Sequence, residues 1–291
     1  MYVFLQIIAV TVLLLLAQEA LRRANRWVVW SVFLLAPLLL TPYWVQVNEL
    51  GLFSWFKFYT VFFCVCWGTA LRFTSLGNRV WTRSTIPLLL AMNILEAVVL
   101  DLIGHGSAHA LNAAAGLLLI ATMPYGKNSA RIGSANCYHD LLYGIDQRWV
   151  IGYTIWNWTF VYLNYPSLTG HHTAVLAAGL IVAMNNPSRW SQTRASTLGV
   201  NLLCTATCFK GMIAWMDTST WCNEQAGIVV AGFALVVMAG YAVQFWLPQI
   251  ERVIWKQVQC GPGRKPGENW QPPKSRQCSP AHRLAIRWPS P

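Results

Sequence analysis

The stretch TIPLLLAMNILEAVVLDLIGHGSAHALN, residues Thr85–Asn112, decides the fold class. Its apolar part is as long as the ~20 residues that a helix needs to cross a bilayer. It nevertheless carries Asn93, Glu96 and Asp101, and an ionised carboxylate near the bilayer centre costs roughly 2.5–3.5 kcal/mol on insertion scales. Neighbouring helices or a water-filled cavity must receive these side chains. The stretch therefore predicts a polytopic membrane protein with a polar interior.

The composition of the whole chain favours the same class. Of its 291 residues, 55% are hydrophobic and 11% are charged, whereas a soluble domain has about 25% charged residues. Long apolar runs recur along the chain with short connections between them. No segment is long and polar enough to fold as a separate soluble domain.

The apolar runs predict an all-α transmembrane bundle of about nine spans. The predicted spans are 2–21, 27–45, 52–73, 84–104, 107–124, 149–166, 171–186, 195–216 and 226–248. The fifth begins with polar residues and the seventh is short, so a re-entrant segment at either place would reduce the number to about eight. Met1–Ala17 lacks the basic start and the cleavage site of a signal peptide, so we expect the first helix to be retained.

Lys and Arg occupy every second connection between the predicted spans, and cytoplasmic loops accumulate these residues. The basic connections contain Arg22/Arg23/Arg26, Arg72/Arg79/Arg83, Lys127/Arg131/Arg148 and Arg189/Arg194. The pattern predicts an external N-terminus and a cytoplasmic C-terminus. We expect the protein to lie in a bacterial inner membrane. The net charge of +11 then lies on a cytoplasmic face that attracts anionic lipids. Nothing in the sequence predicts a nucleic-acid-binding domain.

The same map divides the chain into two parts. Residues 1–256 form the predicted membrane domain, and residues 257–291 form a tail rich in Pro, Gly and Arg. The tail has no apolar periodicity, so we expect it to be disordered on the cytoplasmic side.

Polar groups inside the predicted spans or at their ends are the candidate binding residues, because ionisable groups in a membrane interior mark substrate or ion pathways by default. They are Asn93, Glu96, Asp101, Asn157, Lys210 and Asp217. The depth of the residues leads us to expect that Glu96 pairs with Lys210, with Lys57 as an alternative partner. The same groups can also serve only to fix helix packing, without any ligand.

Histidines suggest a second kind of site on the external side. Asp101, His105 and His109 are four residues apart, and His171 and His172 open the seventh predicted span. Imidazole and carboxylate groups at this spacing can hold Zn²⁺ or iron. The candidate metal ligands are His105, His109, His171 and His172, although glycines interrupt the helix that the spacing assumes.

Two further expectations concern local structure. The segment NCYHDLLYGID, residues 136–146, is interpreted as a short interfacial helix. Seven tryptophans lie at the ends of predicted spans, where aromatic residues anchor a protein at the membrane interface. They are Trp27, Trp44, Trp55, Trp81, Trp149, Trp190 and Trp221.

The segment IGYTIWNWTFVYLNYP, residues Ile151–Pro166, is followed by a late predicted helix that ends in Asp217–Ser219. Over Trp149–Pro166 and Asn201–Trp221 the chain resembles a bacterial multi-pass membrane family of unknown function. The resemblance implies a membrane fold and supplies no activity.

Three hypotheses for the function follow. The first is a small-solute or ion translocator whose interior site combines Glu96, Asp101, Asn157 and Lys210. The second is a membrane-embedded enzyme, metal-dependent if it uses the external histidines. The third is an accessory or assembly subunit in which the polar groups are structural. The sequence contains no nucleotide-binding loop or hydrolase motif, so it specifies neither an enzyme class nor a cofactor.

Overall fold

The computed structural model describes residues 2–48, 51–133 and 138–259, without the side chains of residues 53, 209–210 and 252–259. These residues are almost entirely helical. The α-helices are α1 (Tyr2–Arg23), α2 (Arg26–Val47), α3 (Leu52–Phe73), α4 (Thr85–Ile103), α5 (Ser107–Ala121), α6 (Gln147–Asn164), α7 (Thr169–Asn185), α8 (Trp190–Thr207), α9 (Phe209–Trp215) and α10 (Glu224–Gln259). Every predicted span coincides with helix in the described part of the chain, although the eighth is divided.

Within that part, 5 helical segments are long and apolar enough to cross a membrane. They are Tyr2–Arg23, Arg26–Val47, Val80–Ile103, Pro166–Asn185 and Glu224–Glu251. Helices α6 and α8 have the length but not the apolar composition, because they carry polar side chains that contact other helices. The chain therefore has the helices of a membrane protein, and its central helices are more polar than its outer ones.

The break between α4 and α5 places the start of α5 against the end of α4. Gly106 has a φ of 119°, a conformation that favours glycine. A Cβ on Gly104 would lie 2.8 Å from Nδ1 of His109, so glycine is needed for the imidazole to approach this closely. The two glycines that interrupt the predicted metal spacing thus turn the chain and let His109 reach back towards α4.

A β-hairpin occupies the place of the predicted interfacial helix, and that prediction is wrong. Strands β1 (Ala130–Ile132) and β2 (Leu141–Tyr143) pair antiparallel, with Arg131 opposite Leu142. The strands form because alternate residues of Leu141–Tyr143 are buried, a period that suits a strand and not a helix. The phenol of Tyr143 is fully buried and donates a hydrogen bond to the Pro124 carbonyl, and this burial raises its pKa.

The eighth predicted span, 195–216, is not one helix. It begins earlier than expected, at Trp190, and α8 ends at Thr207, where Cys208 leaves the helical conformation. The short helix α9 follows. The start was misplaced because the loop was read as extending through Arg194, although Pro187 already opens a helical turn just before Trp190.

Aromatic side chains build the core between α6 and α8. The rings of Tyr153 and Trp190 meet edge to face at 4.6 Å, and Trp149 meets Trp190 at 5.6 Å. Trp149 and Trp190, like Trp44 elsewhere, are buried, so their expected place in the membrane interface is wrong. Trp27 and Trp81 are exposed, as interface residues would be.

Residues Met1–Phe245 form one compact unit, and all contacts described below lie within it. The predicted tail, 257–291, falls almost wholly outside the described residues. Only its first residues, up to Gln259, are seen, at the end of α10.

Candidate functional site

The first of three interior polar clusters surrounds Asp101, which is fully buried near the end of α4. Its carboxylate accepts hydrogen bonds from the side-chain amides of Asn112 at 2.7 Å and Asn164 at 2.8 Å. Nδ1 of His109 lies 3.1 Å from the same carboxylate. The cluster ties α4 to α5 and α6. A carboxylate that accepts several hydrogen bonds in this way is well accommodated without a Lys or Arg partner.

The second cluster is the ion pair of Lys57 on α3 and Glu96 on α4. Nζ of Lys57 lies 2.6 Å from Oε2 of Glu96 and also donates to the Asn93 carbonyl at 3.2 Å. The sequence predicts Lys210 as the partner of Glu96. The structure shows the alternative, Lys57, in that place, and the side chain of Lys210 lies outside the described part.

The third cluster joins Asn157 of α6, His172 of α7 and Arg194 of α8. Nη2 of Arg194 donates to Oδ1 of Asn157 at 3.3 Å, and Nε2 of His172 hydrogen-bonds to the same oxygen. Nη2 also lies 3.2 Å from Nε2 of His172. Because both groups converge on one acceptor, we assign Nε2 of His172 as the N–H donor.

Arg194 differs from the other interior charges because much of its guanidinium is unsatisfied. The residue is only 6% exposed, yet Nε and Nη1 have no hydrogen-bond partner among the described residues. Glu96 and Asp101 are each bound elsewhere. Within the described part of the chain, Arg194 has no carboxylate partner, and an unpaired buried charge is strongly unfavourable.

Arg194 also forms part of the wall of a cavity inside the bundle, with a volume of about 120 Å³. The lining comes from α1–α4, α6, α8 and β2 and is mostly apolar, with aromatic side chains from Phe33, Tyr153 and Trp190. Along α3 the lining extends from Val61 to Arg72, a length of roughly 16 Å at the helical rise per residue. Asn93 of α4 is a polar residue of the lining.

The hairpin bounds one end of this cavity and is held there by side-chain bonds. Arg22 donates from Nε and Nη2 to the two oxygens of Asp140, both at 2.8 Å. The Leu141 N–H donates to Oε1 of Gln192 at 2.6 Å. Arg72 donates to backbone carbonyls of α1 and of the segment that precedes β2, including that of His139 at 3.3 Å. Leu141, Gln192 and Arg72 all line the cavity.

The predicted binding residues therefore do not form one site. Asn93, Glu96, Asp101 and Asn157 are divided among the three clusters. Asp217 is exposed and bonds within its own turn, to the N–H and hydroxyl of Ser219. Asp217 does not continue the eighth predicted span, because α8 and α9 are separate helices and Asp217 follows both.

The four histidines proposed as metal ligands are also separated. His105 is exposed in the turn after α4, and His109 binds Asp101. Nε2 of His171 hydrogen-bonds to the Met212 carbonyl at 2.9 Å, while His172 belongs to the Arg194 cluster. In the described part of the chain, no three His, Cys, Asp or Glu residues are placed to hold a metal ion.

Comparison with known proteins places the chain in a family. The model of a family of unknown function, DUF5692, matches residues 1–258. The chain belongs to the DUF5692 family. All three clusters and the cavity lie within the matched residues, so the DUF5692 region contains the whole candidate site. The expected likeness to a family of unknown function is confirmed to this extent. No curated protein and no solved structure matches the chain.

The most informative residue of this DUF5692 chain, Arg194, is not among the candidate residues predicted from the sequence. Arg194 was assigned to a cytoplasmic connection together with Arg189, because both follow the Asn-Asn-Pro segment at 185–187. A signal was available: Pro187 and Ser188 mark a helix start, which puts Arg194 in the second turn of the next helix. That it faces the interior was visible only in the packing of α8 against α6 and α7.

Proposed function

We propose that the protein is a multi-pass membrane protein that binds a small solute in its interior cavity and passes it across the membrane. The observation that carries the proposal is the cavity with Arg194 in its wall. A cavity with an unneutralised charge in its wall is expected where a ligand binds, whereas the charged groups of a purely structural interior would all be paired. We place the solute site at Arg194 and Asn93.

Two of the clusters support a structural role for part of the interior. Asp101 and Glu96 each have bonded partners on other helices, which is what an accessory subunit would need to fix its packing. We therefore assign these two residues to helix packing, and we assign transport to the cavity alone. The scattered histidines give no support to the alternative of a metal-dependent enzyme.

The topology that we propose has nine spans, an external N-terminus and a cytoplasmic C-terminus, in a bacterial inner membrane. The alternation of basic and non-basic connections supports it. The basic residues Arg22, Arg72 and Arg189 lie at the hairpin end of the cavity, so the hairpin would face the cytoplasm and its anionic lipids. A reporter fused after Arg131 should be cytoplasmic, and one fused after Asp217 should be external. The reverse result would exclude this topology.

Cys64 offers a test of passage, because its side chain lines the cavity. We would keep Cys64 and replace the other seven of the 8 cysteines by serine, and then apply a membrane-impermeant maleimide to vesicles of each orientation. A translocator exposes its site to each side in turn, so Cys64 should be labelled from both sides. The matched control retains only Cys66, which binds the Phe33 carbonyl instead of lining the cavity, and should stay unlabelled. Labelling of Cys64 from one side only would exclude passage.

A further inference from the structure

The unpaired atoms of Arg194 indicate what kind of solute the cavity binds. A guanidinium has five N–H groups and no acceptor, and in Arg194 only Nη2 has a partner among the described residues. That partner, Oδ1 of Asn157, is not an anion. Nε and Nη1 are buried, and Arg194 is one of the residues that line the cavity. An anion bound in the cavity beside this guanidinium would supply the counter-charge that the described part of the chain leaves out.

Arg72 provides the contrast within the same cavity. It is buried to a similar degree, but it donates to the backbone carbonyls of Arg22, Tyr138 and His139. Its bonds hold the hairpin to α1 and α3, so its role is accounted for by the fold. The two arginines in the cavity wall are therefore not equivalent. Arg194 is the one whose buried Nε and Nη1 have no acceptor among the described residues.

The surrounding charge limits the anion to a single negative charge. Lys57 is another cation that interacts with Arg194, and Glu96 already neutralises it. One unneutralised guanidinium can balance a monoanion, but a dianion would bring a second uncompensated charge into a poorly solvated space. Carboxylate is the monoanion whose two oxygens match the planar array of guanidinium donors.

The size and lining of the cavity limit the rest of the molecule. Its volume of about 120 Å³ corresponds to room for on the order of ten waters or of ten non-hydrogen atoms. The rings of Phe33, Tyr153 and Trp190 and the aliphatic side chains of α3 and α4 suit an apolar body. A long alkyl chain exceeds this volume.

We propose that the cavity binds a small organic monocarboxylate, with its carboxylate beside the guanidinium of Arg194 and its apolar body between α3 and α8. The inference rests on the proposed function, because it gives the solute class for the same cavity. A lipid-derived fatty acid carries the same head group, so the test includes one.

The test uses the full-length protein in a neutral detergent, with thermal unfolding followed by tryptophan fluorescence. The probes are benzoate, isovalerate and hexanoate, and the controls are benzamide, sodium chloride at equal ionic strength, inorganic phosphate and laurate. We expect at least one short carboxylate to raise the unfolding temperature in a saturable manner, as preferential binding to the folded state requires. Benzamide, the uncharged counterpart of benzoate, should have no effect. A response to none of the three, or a response to laurate or phosphate alone, would overturn the proposal.

Substitutions of Arg194 test the contact itself. Arg194→Gln should weaken carboxylate binding at least about tenfold, and Arg194→Lys should weaken it less, since one charged hydrogen bond is worth roughly that factor. Arg148→Gln is the matched control, because Arg148 is exposed and outside the cavity wall. Without any ligand, Arg194→Met should raise the unfolding temperature, since it removes a buried charge that has no counter-ion. The proposal would be wrong if Arg194→Met lowered the unfolding temperature and if Arg194→Lys and Arg194→Gln left carboxylate binding unchanged. These results together would show that the fold itself satisfies Arg194.

The two proposals can fail separately. Labelling of Cys64 from both sides without any carboxylate effect would leave translocation standing and overturn the solute class. Saturable carboxylate binding with labelling from one side would retain the binding site and overturn the proposed function.

Discussion

The Lys57–Glu96 ion pair allows the most direct test of the interior. Removing either member should destabilise the protein, and removing both should restore most of the loss. Nζ and Oε2 lie 2.6 Å apart, and the side chains are 28% and 17% exposed, respectively. Each substituted protein would keep one charge among helices without its partner. The pair also fixes α3 against α4, through the additional bond from Lys57 to the Asn93 carbonyl.

The expected magnitude follows from the geometry. At this separation the Coulomb attraction is about 6 kcal/mol at an effective dielectric constant of about 20, and the cost of desolvating both ions offsets much of it. Breaking a buried pair from one side typically costs about 3–5 kcal/mol. Because the pair keeps some exposure, we expect the lower end, about 3 kcal/mol, for Lys57→Met or Glu96→Gln. The double variant should lie within about 1 kcal/mol of the parent protein.

Thermal unfolding in detergent, followed by tryptophan fluorescence, measures these differences. A loss of about 3 kcal/mol corresponds to a decrease of roughly 6–12 °C in the unfolding temperature for a chain of this size. The matched control combines Glu96→Gln with Lys210→Met, and we expect no recovery there because Lys57 is the bound partner. Additive losses in the Lys57/Glu96 double variant, or recovery in the Lys210 control, would refute the reasoning.

Three further predictions concern other contacts, each measured on the purified protein. Asp101→Asn should lower the unfolding free energy by about 2–3 kcal/mol, since an amide N–H₂ group would replace a charged oxygen that accepts hydrogen bonds. The exposed Asp217→Asn should change the unfolding free energy by less than about 0.5 kcal/mol. Equal effects of the two substitutions would contradict the assignment of Asp101 to helix packing. Gly116→Ala should cost about 1–3 kcal/mol, because its Cβ would lie 2.5 Å from Val98 and 2.8 Å from Trp156. Gly232→Ala, which meets no atom within 4 Å, should be neutral, and a similar loss there would reject the packing argument. Arg22→Gln should speed hydrogen exchange of the hairpin amides, because it removes the bidentate bond to Asp140; unchanged exchange would show that the hairpin is held without that bond.

The sequence was a good guide to where helices form and a poor guide to which side chains meet. The run of Leu, Ile and Val in Thr85–Ile103 specified α4 closely, since an apolar run of that length has few other structures available. The hairpin at Ala130–Tyr143 was missed because two three-residue strands carry little periodicity. Glu96 was correctly identified as an interior charge that needs a cation. Whether Lys57 or Lys210 supplied it depended on the relative rotation of the helices, which a single sequence does not give.

Trp149 and Trp190 show the same limit for aromatic residues. Their positions at the ends of predicted spans are typical of interface anchors, yet both are buried against Tyr153. A tryptophan at a helix end faces lipid headgroups if its helix is at the periphery and faces other helices if it is central. The hydropathy of α6 and α8, lower than that of the outer helices, was the sequence signal that these helices are central.

By itself, the sequence determined that the chain is a helical protein with polar groups inside apolar helices. This follows because backbone hydrogen bonding and the length of apolar runs act locally along the chain. Only the tertiary structure decided that Asp101 is surrounded by amides, that Lys57 neutralises Glu96, and that Arg194 lies unpaired in a cavity wall. The physical reason is that the free energy of a buried charge depends on the atoms within a few ångströms of it. Those atoms come from helices that are far apart in sequence.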